Sequence, residues 1–476
     1  MLFNSFIFIF VFLPITLIGY HQLLKTQNDK SRYGFLIIAS VFFYGYWDIR
    51  FVPLLLISIT VNYYIAKTLI SNPNKTLLTT GVCFNLLLIG YFKYADFFST
   101  TTAPILSNST IEIILPLGIS FFTFQQIAYL IDAHQGIVKT HDPYEYFLFV
   151  TFFPQLIAGP IVHHHQLIPQ FRRQDKFSQL WNSPLFTQGL ILLIIGLFKK
   201  VVMADNLSTY VDPVFNDVTN VTFLEAWTAA IAYTLQLYFD FCGYSEMAMG
   251  IALMFGILLP LNFNSPYKAI SIIDFWHRWH ITLGIFFKEY VYIPLGGNQQ
   301  GLMRLLFTLM LTMFLVGLWH GAGWTFIIWG LLHGCYLSVN HLWRSTRWSL
   351  PKKLSWWITF MSVVIAWVIF RAHNLSDAGI LLTKMLGADG VQLPPLFQIL
   401  TGSFINEVNI AHSSLINGFE IMLMVLIMLF LTRTPNIHQY LECFRPTQIN
   451  KILFSMLAGI AVFSLNSPTA FLYHQF

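Results

Sequence analysis

The sequence is poor in charged residues. Only 10% of its 476 residues are Asp, Glu, Lys or Arg, whereas 56% are hydrophobic and 17% are aromatic. Soluble domains typically carry about 25% charged residues. This scarcity argues against a disordered chain and against an ordinary cytosolic enzyme, and it predicts a protein that crosses a membrane several times. The net charge of +5 is small and scattered, so we expect no nucleic-acid partner.

Cysteine is also scarce. The four cysteines lie far apart, with no CxxC pair and no His/Cys spacing typical of zinc sites: Cys83, Cys242, Cys335 and Cys443. We interpret them as apolar residues in helices or near helix ends, with no disulfide framework. The N-terminal stretch Met1–Tyr20 lacks a basic segment and an A-x-A cleavage site. It therefore predicts a retained first transmembrane helix and not a removed signal peptide.

Long hydrophobic runs fill most of the chain. Runs suited to crossing roughly 30 Å of hydrocarbon occur near 3–20, 34–49, 51–70, 77–98, 113–131, 184–204, 223–243, 302–319, 322–343, 355–371, 413–432 and 452–468. A further apolar stretch, 146–161, is short and contains Pro154, Gly159 and Pro160, which predicts a broken or re-entrant segment. We see no internal repeat and no large soluble appendage. The sequence therefore predicts an all-α, polytopic protein of about 11–13 helices plus re-entrant segments, in one membrane domain over 1–476.

The charges are distributed unevenly among the loops between these runs. Lys and Arg are concentrated in loops 21–33, 162–183, 344–353 and 433–451, whereas loops 99–112 and 205–222 have none. Because basic loops tend to face the cytoplasm, the first set predicts the cytoplasmic side. Both termini then lie outside, provided that 146–161 does not cross. This orientation predicts a multi-pass membrane protein with both its N- and C-termini on the outer side.

Polar residues inside apolar segments are costly and are concentrated between positions 240 and 320. Asp274 and Arg278 stand four residues apart on a predicted helix, where they can form an ion pair; a structural pair explains them at least as well as catalysis does. His277 and His280 stand three residues apart on one face, but no third ligand with zinc spacing is present, so we expect no metal there.

Two further polar groups have mainly structural interpretations. A hydrogen-bonded network between helices is the favoured reading of Asp240, Tyr244, Ser245 and Glu246. The run 163–165 is three consecutive histidines after the Gly-Pro break. Three adjacent imidazoles do not all point at one ion, so we interpret them as part of a cationic or hydrogen-bonding mouth near Arg172 and Arg173, with metal binding a remote alternative.

His320 is the sharpest catalytic candidate. It lies at the join of two apolar runs, flanked by Gly317, Gly321 and Gly323, where backbones and ligands can approach closely. Trp319 and Trp324 offer an amphipathic wall. Burial favours the neutral imidazole, which can accept a proton as a general base. A satisfied core histidine, or one in an outer loop, is an equally good reading on physical grounds alone.

Several stretches of the chain resemble the membrane-bound O-acyltransferase family. They are FFYGYWDIRFVPLL (43–56), FFPQLIAGPIVHHHQLIPQF (152–171), YFDFCGYSEMAMGIALMFGI (238–257), DFWHRWHITLGIFFKEYVYIPLGGN (274–298) and GLWHGAGWTFIIWGLLHG (317–334). The best-matching core is 34–371. The likeness is strongest to the bacterial branch that contains the membrane subunits of alginate and peptidoglycan O-acetyltransferases. Departures from the alginate branch at Cys242, Glu246 and Gly323 are mild and weaken any prediction of the substrate.

The resemblance implies a ring of tilted helices around a funnel or tunnel. It also implies transfer of an acetyl group from acetyl-CoA, a donor substrate and not a bound cofactor, to a hydroxyl of an exported glycan. The glycan is alginate-like or peptidoglycan and is reached directly or through a periplasmic SGNH-type or other acetyltransferase partner. The signature histidines of the family correspond to His320, the catalytic base, and His280. We predict no metal. We predict substrate contacts at Trp319, Trp279, Arg278, Asp240, Tyr244, Arg172 and Arg173. Arg172 and Arg173 lie beside Lys176 in the sequence, on the side from which the phosphates of acetyl-CoA approach.

Two other functions would also use many helices and buried polar groups. A secondary transporter or exporter of a glycan or lipid intermediate explains the charges near the midplane equally well, but many transporters have inverted repeats and none is visible here. A non-catalytic scaffold for an envelope-acetylating complex has little need of buried histidines in glycine-broken helices. We therefore favour direct acyl transfer, with attack of the acceptor hydroxyl on the thioester, because no Ser or Cys in the motifs has an evident base partner.

Overall fold

The structure, a computed structural model, describes residues 1–26, 28–106, 113–139, 141–172, 181, 183–346, 348–388, 390, 419–442, 444, 447–465, 469 and 471–472. Regular structure in these ranges is entirely helical, which confirms the all-α prediction. Helix starts follow the local sequence. Asn28, for example, accepts a hydrogen bond from the backbone N–H of Ser31, and Ser271 accepts one from that of Asp274, as side-chain caps of exposed helix ends do.

The first half of the chain forms α1 (Leu13–Leu24), α2 (Asp29–Gly45), α3 (Val52–Ser71), α4 (Lys75–Ile89), α5 (Ala95–Leu106), α6 (Ile119–His134), α7 (Pro143–Thr151), α8 (Phe153–Leu156), α9 (His164–Arg172), α10 (Pro184–Phe198) and α11 (Asp205–Asn216). The second half forms α12 (Phe223–Met254), α13 (Ile272–Trp276), α14 (Ile281–Phe287), α15 (Leu302–His320), α16 (Trp324–Ser345), α17 (Lys352–Arg371), α18 (Leu375–Met385), α19 (Phe419–Arg433), α20 (Ile437–Glu442) and α21 (Gln448–Phe463). Single π-helical turns connect some of them, as at Lys199–Ala204 and Lys288–Tyr292.

Several helices are suited to crossing a membrane. Within the described ranges, five stretches are long and apolar enough: Ile49–Ser71, Lys75–Ser99, Pro184–Asn216, Leu302–His320 and Lys352–Arg371. Each overlaps a run predicted from the sequence. Shorter apolar helices occupy Phe8–Leu24, Leu423–Arg433 and Gln448–Phe463. The protein is thus a multi-pass membrane protein. The beginning of the predicted run 413–432, up to residue 418, lies outside the described residues.

The predicted break in 146–161 is present. Helix α7 ends at Thr151, the short α8 ends at Leu156, and residues 160–163 have no regular structure. Other boundaries were predicted less well. The run 223–243 is the beginning of a longer helix, α12, which continues to Met254, and the loop predicted at 205–222 begins with helix α11.

The chain forms two compact units. The first comprises Met1–Val201, Phe241–Asn262 and Arg445–Phe476, and the second comprises Val202–Asp240 and Phe263–Phe444. Helix α12 contributes its beginning to the second unit and its end to the first. The first unit has a core of phenylalanine rings, among them Phe3, Phe43 and Phe153. The second unit contains α13 to α18 and the two predicted catalytic histidines. The single membrane domain and the ring around a funnel stay predictions.

Candidate active site

The site is built on the crossing of α15 and α16, where glycines allow the two backbones to approach closely. A Cβ atom on Gly330 of α16 would lie 2.4 Å from the carbonyl oxygen of Met313 on α15. A Cβ atom on Gly317 of α15 would lie 2.4 Å from the carbonyl oxygen of Phe326 on α16. Both contacts are with backbone, which cannot move aside cheaply. Larger residues at these two positions would therefore separate the helices that carry the site.

His320 is the last residue of α15, at the join that the sequence predicts. Gly321 is extended and α16 begins at Trp324. The histidine is 4% exposed. Its ring lies edge-to-face with the rings of Trp319, Trp329 and Phe370, at centroid distances of 4.9, 5.0 and 5.2 Å. An aromatic wall of this kind holds the imidazole in a fixed orientation and limits its contact with water.

His280 adopts a strained backbone conformation. Its φ is 43° and its ψ is 53°, in the left-handed region, and it is fully buried at the position just before α14. A non-glycine residue held in this region costs on the order of 1–3 kcal/mol and commonly marks a functional site. The ring of Trp319 contacts both signature histidines, because its centroid lies 5.9 Å from that of His280. The sequence-based reading that placed His277 and His280 on one helical face is wrong, since α13 ends at Trp276.

A third buried histidine, His333, was not assigned a role from the sequence. It is fully buried on α16, and its Nδ1 atom accepts a hydrogen bond of 3.3 Å from Nε1 of Trp276. The ring of Trp329 lies between it and His320, with centroids 4.9 Å from His333 and 5.0 Å from His320. The one signal available in the sequence was its place at the end of the conspicuous stretch 317–334.

The predicted ion pair between Asp274 and Arg278 is present, but only Asp274 is on a helix, because Arg278 lies in the turn after α13. The Arg278 guanidinium donates to Oδ1 of Asp274 at 2.7 Å and to the backbone carbonyl of Asn264 at 3.3 Å. Trp279 is buried and stacks on Phe275 at 5.7 Å, and its ring also contacts Trp367 at 5.0 Å. These contacts anchor the segment that carries His280. Asp240 is buried in the same unit. The substrate contacts predicted for Arg278, Trp279, Trp319 and Asp240 stay predictions.

A cavity of about 630 Å³ lies in the second unit, and its lining comes from the segments that carry His280 and His320 but includes neither histidine. Its apolar walls include Ile281, which follows His280, and Val316, which lies one helical turn before His320. Trp276, the hydrogen-bond donor to His333, also lines it. The size falls within the range of about 300–1,000 Å³ that is typical of small-molecule sites.

The charged side chains that line this cavity are basic. They are Lys288 and Arg344, which are accompanied by His277 and His341, and no Asp or Glu is among its described lining residues. Sequence reasoning missed this group because its members come from three separate segments. Basic side chains in a largely apolar cavity are suited to a ligand that joins a phosphate group to a thin apolar arm.

The remaining predicted contacts lie in the first unit. Tyr244 is buried, with its ring stacked on Phe3 at 5.0 Å. Arg172 makes a bidentate pair with Glu145, at 2.5 and 2.6 Å, so a carboxylate already engages its guanidinium. Arg173 lies outside the described residues. The roles predicted for these three residues in binding substrate stay predictions.

A buried polar cluster lies between α10 and α12 of the first unit. Nζ of Lys199 lies 2.5 Å from Oε1 of Glu246, and the Cys242 thiol donates to the same carboxylate oxygen at 3.3 Å. The sequence-based network at Glu246 is therefore present. Ser245 also takes part in a network, because its hydroxyl accepts a hydrogen bond from Asn262 at 3.1 Å. The expectation that no motif cysteine has a base partner needs correction, since Cys242 lies beside both a carboxylate and an ammonium group.

Comparison with known proteins assigns the chain to a family. The model of the MBOAT, membrane-bound O-acyltransferase family, matches residues 37–376. The chain is 42% identical to a peptidoglycan O-acetyltransferase of Helicobacter pylori, over 100% of this chain and 98% of the relative. It is 39% identical to a probable alginate O-acetylase AlgI of Pseudomonas aeruginosa, over 87% of this chain and 80% of the relative. A teichoic acid D-alanyltransferase of Bacillus subtilis is 28% identical over 52% of this chain and 65% of the relative. The chain therefore belongs to the membrane-bound O-acyltransferase family and is an O-acyltransferase.

Proposed function

We propose that the protein transfers an acetyl group from acetyl-CoA to a hydroxyl of an exported cell-envelope polysaccharide, with His320 as the general base. The observation that carries this proposal is the largely apolar cavity in the second unit, which is lined by Lys288 and Arg344 and, next to the two histidines in the chain, by Ile281 and Val316. The names of the relatives support an acceptor of the peptidoglycan or alginate type. Peptidoglycan is the first choice, because that relative matches the whole chain.

The chemistry follows from the properties of the residues. The phosphates of acetyl-CoA bind near Lys288 and Arg344, and the thin pantetheine arm lies along the apolar walls. His320 accepts the proton of the acceptor hydroxyl as its oxygen attacks the thioester carbon. The carbon–sulfur bond then breaks, and the thiolate of CoA leaves and takes up the proton from the imidazole. General-base assistance of this kind contributes typically 10²–10⁴-fold.

His280 and the aromatic wall act as positioning groups. The left-handed backbone at His280 and the ring of Trp319, which contacts both histidines, fix the direction from which an acceptor approaches. Exclusion of water by this wall protects the thioester from hydrolysis. Cys242 takes no covalent part in this scheme, so a Cys242→Ala variant retains transfer.

The protein lies in the bacterial inner membrane with both termini in the periplasm. Loop 344–353 then faces the cytoplasm, which places Arg344 on the side that holds acetyl-CoA. The acceptor is acetylated outside, either directly or through a periplasmic acetyltransferase partner of the SGNH type. Single cysteines at Ser349 and Asn220, in a chain with the native cysteines replaced, test this orientation. Reagents that cannot cross the membrane will label position 220 alone, and labelling of position 349 alone would reverse the orientation.

The proposed donor site is tested with purified protein in liposomes, radiolabelled acetyl-CoA and peptidoglycan or alginate fragments. Arg344→Ala and Lys288→Ala will each raise the KM for acetyl-CoA about tenfold or more with little change in kcat, because each removes a charge-assisted contact worth about 1.5–3 kcal/mol. Lys353→Ala, which removes an exposed charge from the same loop but not from the cavity, is the matched control. Equal KM values in all three variants would contradict the donor site. Glycan flux without any acetyl transfer would favour a transporter.

A further inference from the structure

Three potential metal ligands come together in the first unit. One donor atom each from Asp132, His163 and His165 lies within 4.8 Å of the other two. Asp132 and His163 are buried, whereas His165 is exposed. The two imidazole rings lie 5.4 Å apart at an angle of 34°. Two nitrogen ligands and one carboxylate are a donor set that binds divalent transition metals such as Zn²⁺.

The local fold explains why these residues meet. Gly118, before the start of α6, has a φ of 71°, and a Cβ atom on it would lie 2.9 Å from the carbonyl oxygen of Leu156. Asp132 lies near the other end of α6. Residues 157–159 form a turn in which the amide of Gly159 donates to the carbonyl of Gln155 at 3.2 Å. The irregular residues 160–163 follow and bring His163 within reach of Asp132.

The backbone of both buried ligands is held in place. The amide of His163 donates to the side-chain oxygen of Gln166 at 3.3 Å, and the amide of Gln166 donates to the His163 carbonyl at 3.0 Å. The carbonyl of Asp132 accepts the amide of Ile137 at 2.9 Å, which fixes the turn after α6. Ligands that are held in place before the metal binds reduce the entropy cost of ordering them, so more of the free energy of binding is retained.

The middle histidine of the run serves a different purpose. The ring of His164 lies edge-to-face with Tyr129 at 5.0 Å and with Phe149 at 5.6 Å. The imidazole of His164 thus packs in an aromatic core, whereas those of His163 and His165 lie in the cluster with Asp132. This answers the sequence-based objection that three adjacent histidines cannot share an ion, because two of them and a carboxylate suffice.

We propose that Asp132, His163 and His165 bind one divalent transition-metal ion of the Zn²⁺ class, which pins the non-helical segment 157–163 to the end of α6. Donor atoms bound to zinc at about 2.0–2.2 Å lie about 3.4 Å apart in a tetrahedral site. The exposed side chain of His165 has the freedom to make the adjustment that closes the present spacing. Water completes the coordination, and the role of the ion is structural.

The proposal is tested by metal binding and not by transferase activity, so its failure leaves the proposed function standing. Protein purified with a histidine-free tag is treated with a chelator and titrated with Zn²⁺ by calorimetry. The wild type will bind one ion per chain, and Zn²⁺ will raise its thermal unfolding midpoint. Asp132→Asn and His165→Gln will each lower the affinity at least tenfold. The His165 variant keeps the test valid if the buried Asp132 variant does not fold.

His164→Gln is the matched control, because it removes an adjacent imidazole that faces the aromatic core. It will bind Zn²⁺ as the wild type does. A wild type with no saturable Zn²⁺ binding would overturn the proposal and leave Asp132 and the histidines as a hydrogen-bonded cluster. Equal affinity in the wild type, Asp132→Asn and His165→Gln would overturn it as well, since the ion would then bind elsewhere on the chain.

Discussion

The close crossing of α15 and α16 leads to a quantitative prediction for Gly330→Ala. The new methyl group would lie 2.4 Å from the Met313 carbonyl oxygen, well inside van der Waals contact, and 3.0 Å from the Cα atom of Gly317. Overpacking of a well-packed crossing costs typically 1–3 kcal/mol. The intrinsic preference of a helix for alanine over glycine offsets about 1 kcal/mol of this cost. We therefore expect a net loss of stability of up to about 2 kcal/mol, with α15 and α16 displaced from each other.

A glycine elsewhere in the same unit separates the cost of the steric clash from the gain in helix preference. Gly379 lies in α18 with no atom within 4 Å of the position of an added Cβ. Gly379→Ala therefore gains helix preference with no clash, and it will be neutral or more stable by about 0.5–1 kcal/mol. The two variants thus make the same chemical change with opposite expected signs.

The assay combines thermal unfolding in detergent with the initial rate of acetyl transfer. Gly330→Ala will unfold at a lower temperature than the wild type and will lose rate, because displacement of α16 moves Trp329 away from His320. Gly379→Ala will keep both. If Gly330→Ala matches Gly379→Ala in stability and rate, the close crossing does not position the site and the reasoning is refuted.

Substitutions at three further sites test separate parts of the structure. Glu246→Gln will lose about 3–5 kcal/mol of stability, because it removes the buried carboxylate that engages Lys199, a side chain that is itself only 17% exposed. The control Asp48→Asn, whose partner Arg50 is 68% exposed, will unfold as the wild type does. Equal effects would contradict a buried pair. His280→Asn will keep its stability but will lose at least tenfold in the rate of transfer. His280→Val will lose about 1–3 kcal/mol of stability, since valine tolerates the left-handed backbone poorly. A valine variant as stable as the wild type would contradict backbone strain at this position. Burial lowers the pKa of His141 below 6.5 in the folded protein. The wild type will therefore lose stability as the pH falls from 6.5 toward that lower value, and thermal unfolding of His141→Gln will depend less on pH. Identical pH profiles for the two proteins would rule out His141 as the cause.

The sequence predicted the position of His320 well for a physical reason. The apolar run before it is long enough for a membrane helix, and two glycines, Gly321 and Gly323, follow within three residues, so the end of α15 could be placed correctly. The broken segment 146–161 was equally visible, because proline and glycine interrupt an apolar run. These features depend on local preferences that a single stretch of chain contains.

The end of α12 and the backbone of His280 were not visible in the same way. The predicted span ended at residue 243, whereas the helix continues through Glu246, whose charge is paired with Lys199 of another segment. The helix in fact ends near Gly256, whose φ is 77°. The left-handed conformation of His280 depends on the packing of Trp279 and Trp319 around it. Tertiary contacts override local preference in each case.

The cavity and the third histidine could not be deduced from spacing at all. The lining of the cavity comes from α13 to α16 and the segments between them, so no window of sequence contains it. His333 lies among apolar residues of α16, and only the fold brings it beside Trp276 and Trp329. A role can be assigned to a buried histidine in an apolar run only when its neighbours in space are known.

The central claim is that His320 is the base in acetyl transfer, and one rate comparison tests it most directly. His320→Gln is measured against the wild type and against His373→Gln, which alters an exposed histidine of the same unit. All three proteins must insert and unfold alike. We expect a loss of about 10²–10⁴-fold in kcat for His320→Gln alone. Transfer by His320→Gln at the wild-type rate would contradict it.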